Sequence, residues 1–233
     1  MFFASVSNTG MIGKSQILIQ ITQLTLHGKA CWTLIHLATH PEWREKCVKE
    51  IRDLVTRHYD DSLSSATLYE KLSAIPFSEW EDGLPILDAS IRESQRVSSP
   101  HISFRRNLGQ DVSIDGKVVK RGDFLVYLLS DTHLNHEYYP DPHKYDPNRW
   151  LRPDPTPNAA YPFLAWGAGR HPCTGMRTAK LELKLILVMF LMRYEYELVD
   201  QNGKFPDLPL VPDRDDTHQV RTRWCKYCFS AHH

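Results

Sequence analysis

Long apolar runs are missing from this 233-residue chain. The longest, Leu183–Met192, is interrupted by Lys184 and falls far short of the ~20 residues a bilayer-spanning helix needs. No basic-then-apolar leader opens the chain. Net charge is missing as well: 28 Lys and Arg balance 28 Asp and Glu. Without a net basic face to neutralise phosphates, no nucleic-acid partner is expected. Cysteine is sparse and odd in number, with five residues scattered at Cys31, Cys47, Cys173, Cys225 and Cys228, which excludes a secreted disulfide framework. Internal repeats and low-complexity linkers are absent too. The hydrophobic fraction of 42% is enough for one compact core and argues against disorder. As given, the chain reads as soluble and intracellular-like.

The first third reads as helix. Ala30–Ala38 is an apolar run, and His40-Pro41-Glu42 ends it and opens a second helix to about Val55, with Trp43, Cys47, Ile51 and Leu54 at helical spacing. Ser64–Ile75 and Pro85–Arg96 read as two further amphipathic helices. In the middle, Asp111–Asp123 alternates around Asp115-Gly116, a hairpin signal. Phe124–Leu129 reads as a buried strand, and a Pro/Asp-rich meander fills 139–150. A Gly-rich loop then feeds a helix over Met176–Met192 whose second half, apolar nearly all round, predicts burial on most sides. Tyr194–Val199 and the tail from Val220 read as strands. The expected class is mainly α with small β-sheets (α+β).

The sharpest local feature is Trp166-Gly-Ala-Gly-Arg-His-Pro-Cys173-Thr-Gly175. A cysteine framed by glycines just before a helix sits where backbone N–H groups and the positive helix end stabilise a thiolate. Gly167, Gly169 and Gly175 let the backbone wrap the sulfur and let a flat ligand approach it. Two readings stay open from these residues alone: an inert cysteine in a Gly-rich turn, or a thiolate that binds a metal from one side.

That loop resembles the haem-binding signature of the cytochrome P-450 haem-thiolate monooxygenases, with Trp166 at the usual Phe position and His171 where Arg is commoner. The Gly-Ala-Gly-Arg-His form is similar to fungal and sterol 14α-demethylase-like branches. The resemblance implies haem b (iron protoporphyrin IX) with Cys173 as axial metal ligand, His171 at a haem propionate and Trp166 beside the proximal sulfur. It also implies that Glu93 and Arg96, one turn apart on a helix, meet Arg149 in a buried structural triad; the bare residues allow a surface helix pair instead. In His101-Ile-Ser-Phe-Arg-Arg-Asn107, Arg105 or Arg106 would reach a propionate, and strand alternation lets only one of them do so. Arg106 is favoured. A solvated strand edge is the other reading of this pair.

At the N-terminus, Phe3–Gly10 is similar to the family's distal helix, with Thr9 as its proton-guiding alcohol and Asn8 in place of the commoner acid, as in the sterol 7α/12α-hydroxylase and prostacyclin-synthase group. A helix-capping Ser/Thr/Asn cluster is the alternative. The likeness covers the C-terminal half of the family fold, incomplete, over 1–233. Residues 13–29 interrupt it and are expected to be an insertion or an unspliced segment. Cys225-x-x-Cys228 with His232-His233 is cramped for zinc and reads as a terminal strand.

What the resemblance implies about activity is insertion of one oxygen atom from O2 into a lipophilic substrate, a sterol or secondary metabolite. Electrons would come from an NADPH-dependent reductase, with Arg170, Lys180 and Lys184 near its docking face. The full-length family member would sit at the endoplasmic reticulum membrane through an anchor outside this chain. The alternatives are a truncated, non-catalytic fragment and a haem-thiolate isomerase that needs no reductase.

Overall fold

A computed structural model describes residues 26, 28–59, 66–98, 102–152, 161–199, 204–206, 208, 210 and 212, and the backbone of a strand at 228–232. Helix α1 (28–39) ends where Thr39 Oγ1 donates to Ile35 O at 3.1 Å and His40 Nδ1 lies 2.9 Å from His36 O. Pro41, which has no N–H to leave unpaired, then opens α2 (Pro41–His58). The α2 stripe Trp43, Cys47, Ile51, Leu54 is buried as the spacing predicts, and Val55 joins it. The helix runs three residues past the expected end, placing Arg57 and His58 at its negative pole.

The third predicted helix is shorter than expected. Its described part is α3 (Leu68–Ser73), started by a reciprocal cap in which Glu70 N–H donates to Thr67 Oγ1 and Thr67 N–H donates to the Glu70 carboxylate. Residues 60–65 lie outside the described residues. A further helix, α4 (Phe77–Asp82), was not expected because a single turn and a half carries no readable period. Helix α5 (Pro85–Ser98) is begun from a distance: the Glu50 carboxylate on α2 accepts from Ile86 N–H at 2.8 Å and Leu87 N–H at 2.9 Å.

Strands β1 (Ile102–Arg106) and β4 (Phe124–Leu128) pair antiparallel, with Phe104 opposite Val126 and Arg106 opposite Phe124. Between them β2 (Val112–Ile114) and β3 (Lys117–Val119) form the expected hairpin. Its turn has positive φ at both Asp115 (48°) and Gly116 (74°), the backbone that matches strand twist. One expectation fails here: β4 is exposed, not buried, and Leu129 belongs to the next helix, α6 (Leu129–His133). Among the described residues β4 pairs only with β1, and Phe104, Phe124 and Val126 are each more than half exposed.

The meander closes with a 3-10 turn at Pro147–Trp150, and α7 (Met176–Arg193) follows the glycine loop. Leu183, Leu187, Val188 and Leu191 of α7 enter the core with the α2 stripe, Leu84, Leu87 and Ile91, while Met189 stays exposed. Strand β5 (Glu195–Val199) pairs antiparallel with β6 (Cys228–His232). No helix of the described residues is long and apolar enough to cross a membrane.

Candidate functional site

The loop over 166–175 is a tight reversal built on its glycines. Gly167 sits at φ 75°, and a side chain there would come within 3.2 Å of His171 O, so the returning strand of the loop requires glycine. Cys173 N–H donates to Trp166 O at 2.7 Å, which brings the two ends of the reversal together. Met176 N–H and Ala179 N–H then donate to Cys173 O (3.3 Å) and Gly175 O (2.9 Å), launching α7. The outcome is an exposed Cys173 thiol beside the start of an 18-residue helix. His171, Gly167, Gly169 and Gly175 are exposed around it, and a Cβ on Gly169 or Gly175 would meet nothing within 4 Å. Trp166 is half-buried.

A charged cluster joins α5 to the meander. Glu93 and Arg96 are fully buried on α5 and joined by two bonds, Nη2 to Oε1 at 2.8 Å and Nε to Oε2 at 2.9 Å. Arg149 Nε reaches the same Oε1 at 3.3 Å, Asp146 N–H donates to it at 3.0 Å, and Trp150 Nε1–H donates to Oε2 at 2.9 Å. The remaining Arg96 donors go to main-chain carbonyls: His133 and Pro142 at 2.7 Å each, and Lys144 at 3.1 Å. All five guanidinium N–H groups are thus occupied. Arg149 Nη2 donates to Asp141 O at 3.0 Å. A single buried ion pair therefore pins the meander from 133 to 150 onto α5, a fork-to-fork geometry that Lys could not reproduce.

The structure brings Glu93, Arg96 and Arg149 together and separates the two strand arginines. Arg106 shares a face with Phe104, Phe124 and Val126; its Nε donates to Gly122 O at 3.2 Å and its guanidinium lies over Phe124. Arg105 points to the opposite face, that of Tyr127. Tyr127 lines a cleft of about 440 Å³ with Thr132, Tyr138, Tyr161, Leu164, Ala168 and Gly169, so the Arg105 face is the one that adjoins the cysteine loop. Both arginines are exposed. Lys184 is not a surface cation: its ammonium is buried, donates to Trp80 O (2.8 Å) and Glu81 O (2.7 Å), and pairs with Asp88 at 2.8 Å, closing the end of α4. Arg170 is exposed and Lys180 half-buried. Asn8, Thr9, residues 13–25 and Cys225 lie outside the described residues.

Two participants escaped the sequence reading. His133 is fully buried; its Nε2 accepts from Leu164 N–H at 2.9 Å and holds the approach to the loop. Lys29, on α1, lays its ammonium 3.8 Å from the centre of the Trp166 ring. Burial lowers its pKa to about 8, opposed by the charge of Cys173. Neither carries a local motif, because each acts on a partner more than 30 positions away.

Comparison with known proteins fits this geometry. The sequence profile described as Cytochrome P450 matches residues 25–211. Cytochrome P450 monooxygenase dmxR5 of Cryptosporiopsis sp. is 35% identical over 166 residues, covering 71% of this chain and 32% of that protein. Cytochrome P450 monooxygenase AacuE of Aspergillus aculeatus is 36% identical over 172 residues, covering 72% and 34%. The solved structure of retinoic acid-bound cyanobacterial CYP120A1 superposes with a TM-score of 0.64 at 25% identity, over 89% of this chain and 43% of that one. The chain spans about a third of the length of the curated relatives it matches. With a profile match across most of its length, an exposed cysteine in a glycine reversal and a shared fold, the chain belongs to the cytochrome P450 family.

Proposed function

We propose that this chain carries the haem-binding part of a haem-thiolate monooxygenase, with Cys173 as the axial ligand of haem b. The observation that carries the reading is the exposed Cys173 thiol held at the start of α7 by its N–H bond to Trp166 O. The donor set fits the cofactor: one soft sulfur ligand, open space at Gly169 and Gly175 for a flat macrocycle, and exposed His171 with one of the two strand arginines, Arg105 or Arg106, as cations for its propionates. When bound, haem supplies activation of dioxygen, and a thiolate ligand favours O–O cleavage by pushing electron density to the iron.

The protein's share of the work is to present and protect that sulfur. Gly167 and the Cys173–Trp166 bond fix the height of the loop, and α7 directs its positive end at the thiolate. The Glu93–Arg96–Arg149 cluster has a structural role: it holds the meander against α5 and through it the segment leading to Trp166. Thr9 and Asn8 are assigned the handling of protons on the substrate side. The substrate is lipophilic, a sterol or secondary metabolite, and the electron donor an NADPH-dependent reductase that docks beside exposed Arg170. The complete enzyme resides at the endoplasmic reticulum membrane. Residues 13–29 are proposed to be absent from the working protein, and sequencing of mature transcripts tests this directly.

The decisive measurement is the spectrum of the reduced, CO-bound protein. A thiolate-type band that Cys173→Ala abolishes and Cys225→Ala leaves intact is the expected result. Haem retained with an unchanged spectrum in Cys173→Ala would remove the central claim. Conversion of a peroxide substrate without any reductant would point to an isomerase instead.

A further inference from the structure

We propose that the small cavity between α5 and α7, walled by Trp166, is a site for a small planar oxyanion, a carboxylate or an inorganic ion of that shape, held by Arg92, Gln95 and Lys180. The cavity has a volume of about 100 Å³ and is lined by Asp88, Ile91, Arg92, Gln95, Trp166 and Lys180. The four α5 residues recur at helical spacing, so one face of that helix supplies most of the wall. Ile91 and Trp166 give it apolar sides, and the other four bring charge or an amide, the make-up of a small-molecule site. Its size suits an anion of a few atoms and excludes a peptide.

The polar groups around this cavity are short of an acceptor. Gln95 is 3% exposed, and neither atom of its amide has a partner among the described residues. A buried amide left so is costly. Arg92 sets its guanidinium carbon 4.3 Å from the Trp150 ring centre and 5.5 Å from that of Phe163. Among the described residues no carboxylate or carbonyl accepts a hydrogen bond from Arg92 or Lys180. The one carboxylate of the lining, Asp88, already pairs with buried Lys184 at 2.8 Å. Burial lowers the pKa of both Arg92 and Lys180, and for Lys180 the charges of Arg92 and Lys184 add to it against Asp88. A neutral water would serve one donor and leave that surplus of positive charge. An oxyanion offers several acceptor lone pairs and a negative charge together. Its binding ties α5 to α7 beside Trp166.

The test is titration of the full 233-residue chain with isotope-labelled formate at constant ionic strength, read from the width of the formate NMR line. Saturable broadening that nitrate displaces and bulky gluconate does not is the expected result. Lys180→Met should weaken the affinity about tenfold, the scale of one lost charge-assisted bond, and Lys180→Arg should keep it. Gln95→Leu, close in size and unable to donate, should also weaken it. Circular dichroism checks helix content in each variant, and if Lys180→Met loses its helices, Gln95→Leu carries the comparison. No saturable broadening overturns the site. Broadening undiminished in a well-folded Lys180→Met or Gln95→Leu chain means an adventitious ion only, and overturns it as well. Cys173→Ala should bind formate unchanged, which keeps this site separate from the thiolate reading. Loss of formate binding in that variant overturns the placement, because the anion would then sit on the cysteine loop.

Discussion

The Glu93–Arg96 region and the β1–β4 sheet lie next to each other in sequence and are built on opposite terms. On α5 every polar group of the ion pair has a partner, the carboxylate accepting from Arg96, Arg149, Asp146 and Trp150. Further along the chain Phe104, Phe124 and Val126 stand exposed on a two-stranded sheet. Burial of charge is tolerated only where satisfaction is complete, whereas exposed apolar side chains cost no unmade bonds, only unrealised hydrophobic burial. The first region therefore holds the fold, whereas the second leaves apolar side chains exposed among the described residues.

The largest effect expected from breaking that division is Glu93→Ala. It strands Arg96 in the interior and should cost about 3–5 kcal/mol in chemical denaturation. A double-mutant cycle with Arg96 should show strong non-additivity, since both belong to one network. Phe124→Ser, on the open sheet, should change stability by no more than about 0.5 kcal/mol. Equal losses at the two sites would erase the contrast.

Acid sharpens the same comparison. His36 is buried, stacked on Tyr145 at 4.6 Å and close to His40 and Arg96; burial above all, then those charges, lower its pKa to about 3. The neutral ring is thus the native form. Its contribution is complete above pH ~6.5, the unfolded value, and is lost as pH falls from there towards 3. Between pH 6.5 and 5 this group alone should remove about 2 kcal/mol, measured as a drop in denaturation midpoint that His36→Phe reduces. Lys184→Met comes next. It removes a cap on α4 and a pair with half-exposed Asp88, and about 2 kcal/mol is expected from thermal unfolding. A smaller loss, about 1 kcal/mol in the same thermal unfolding, is expected for Gly116→Ala in the hairpin, from forcing φ 74° on a residue with a side chain.

Local pattern carried much of the fold. The 3.6-residue stripe of α2, the Asp115-Gly116 turn and the Gly loop ahead of α7 all follow from neighbours within a few positions, where backbone preference and periodicity act. The family likeness rested on the same kind of signal, a ten-residue loop and a Glu-x-x-Arg pair. The strand at Phe124 misled because an apolar run announces only that it can be buried. Whether it is buried is decided by what packs there, and among the described residues most of the strand stays exposed.

What the sequence determined by itself is therefore a helix-rich cytochrome P450 chain with a cysteine presented on glycines. What only the tertiary structure decided are the long-range partners: Glu50 starting α5, Lys184 ending α4, Arg96 threading the carbonyls of His133, Pro142 and Lys144, and Lys29 lying on Trp166. Each of these joins groups tens of positions apart, and their meeting depends on how helices and loops pack in three dimensions. A charged side chain in a sequence carries no mark of which distant carbonyl, carboxylate or ring will satisfy it.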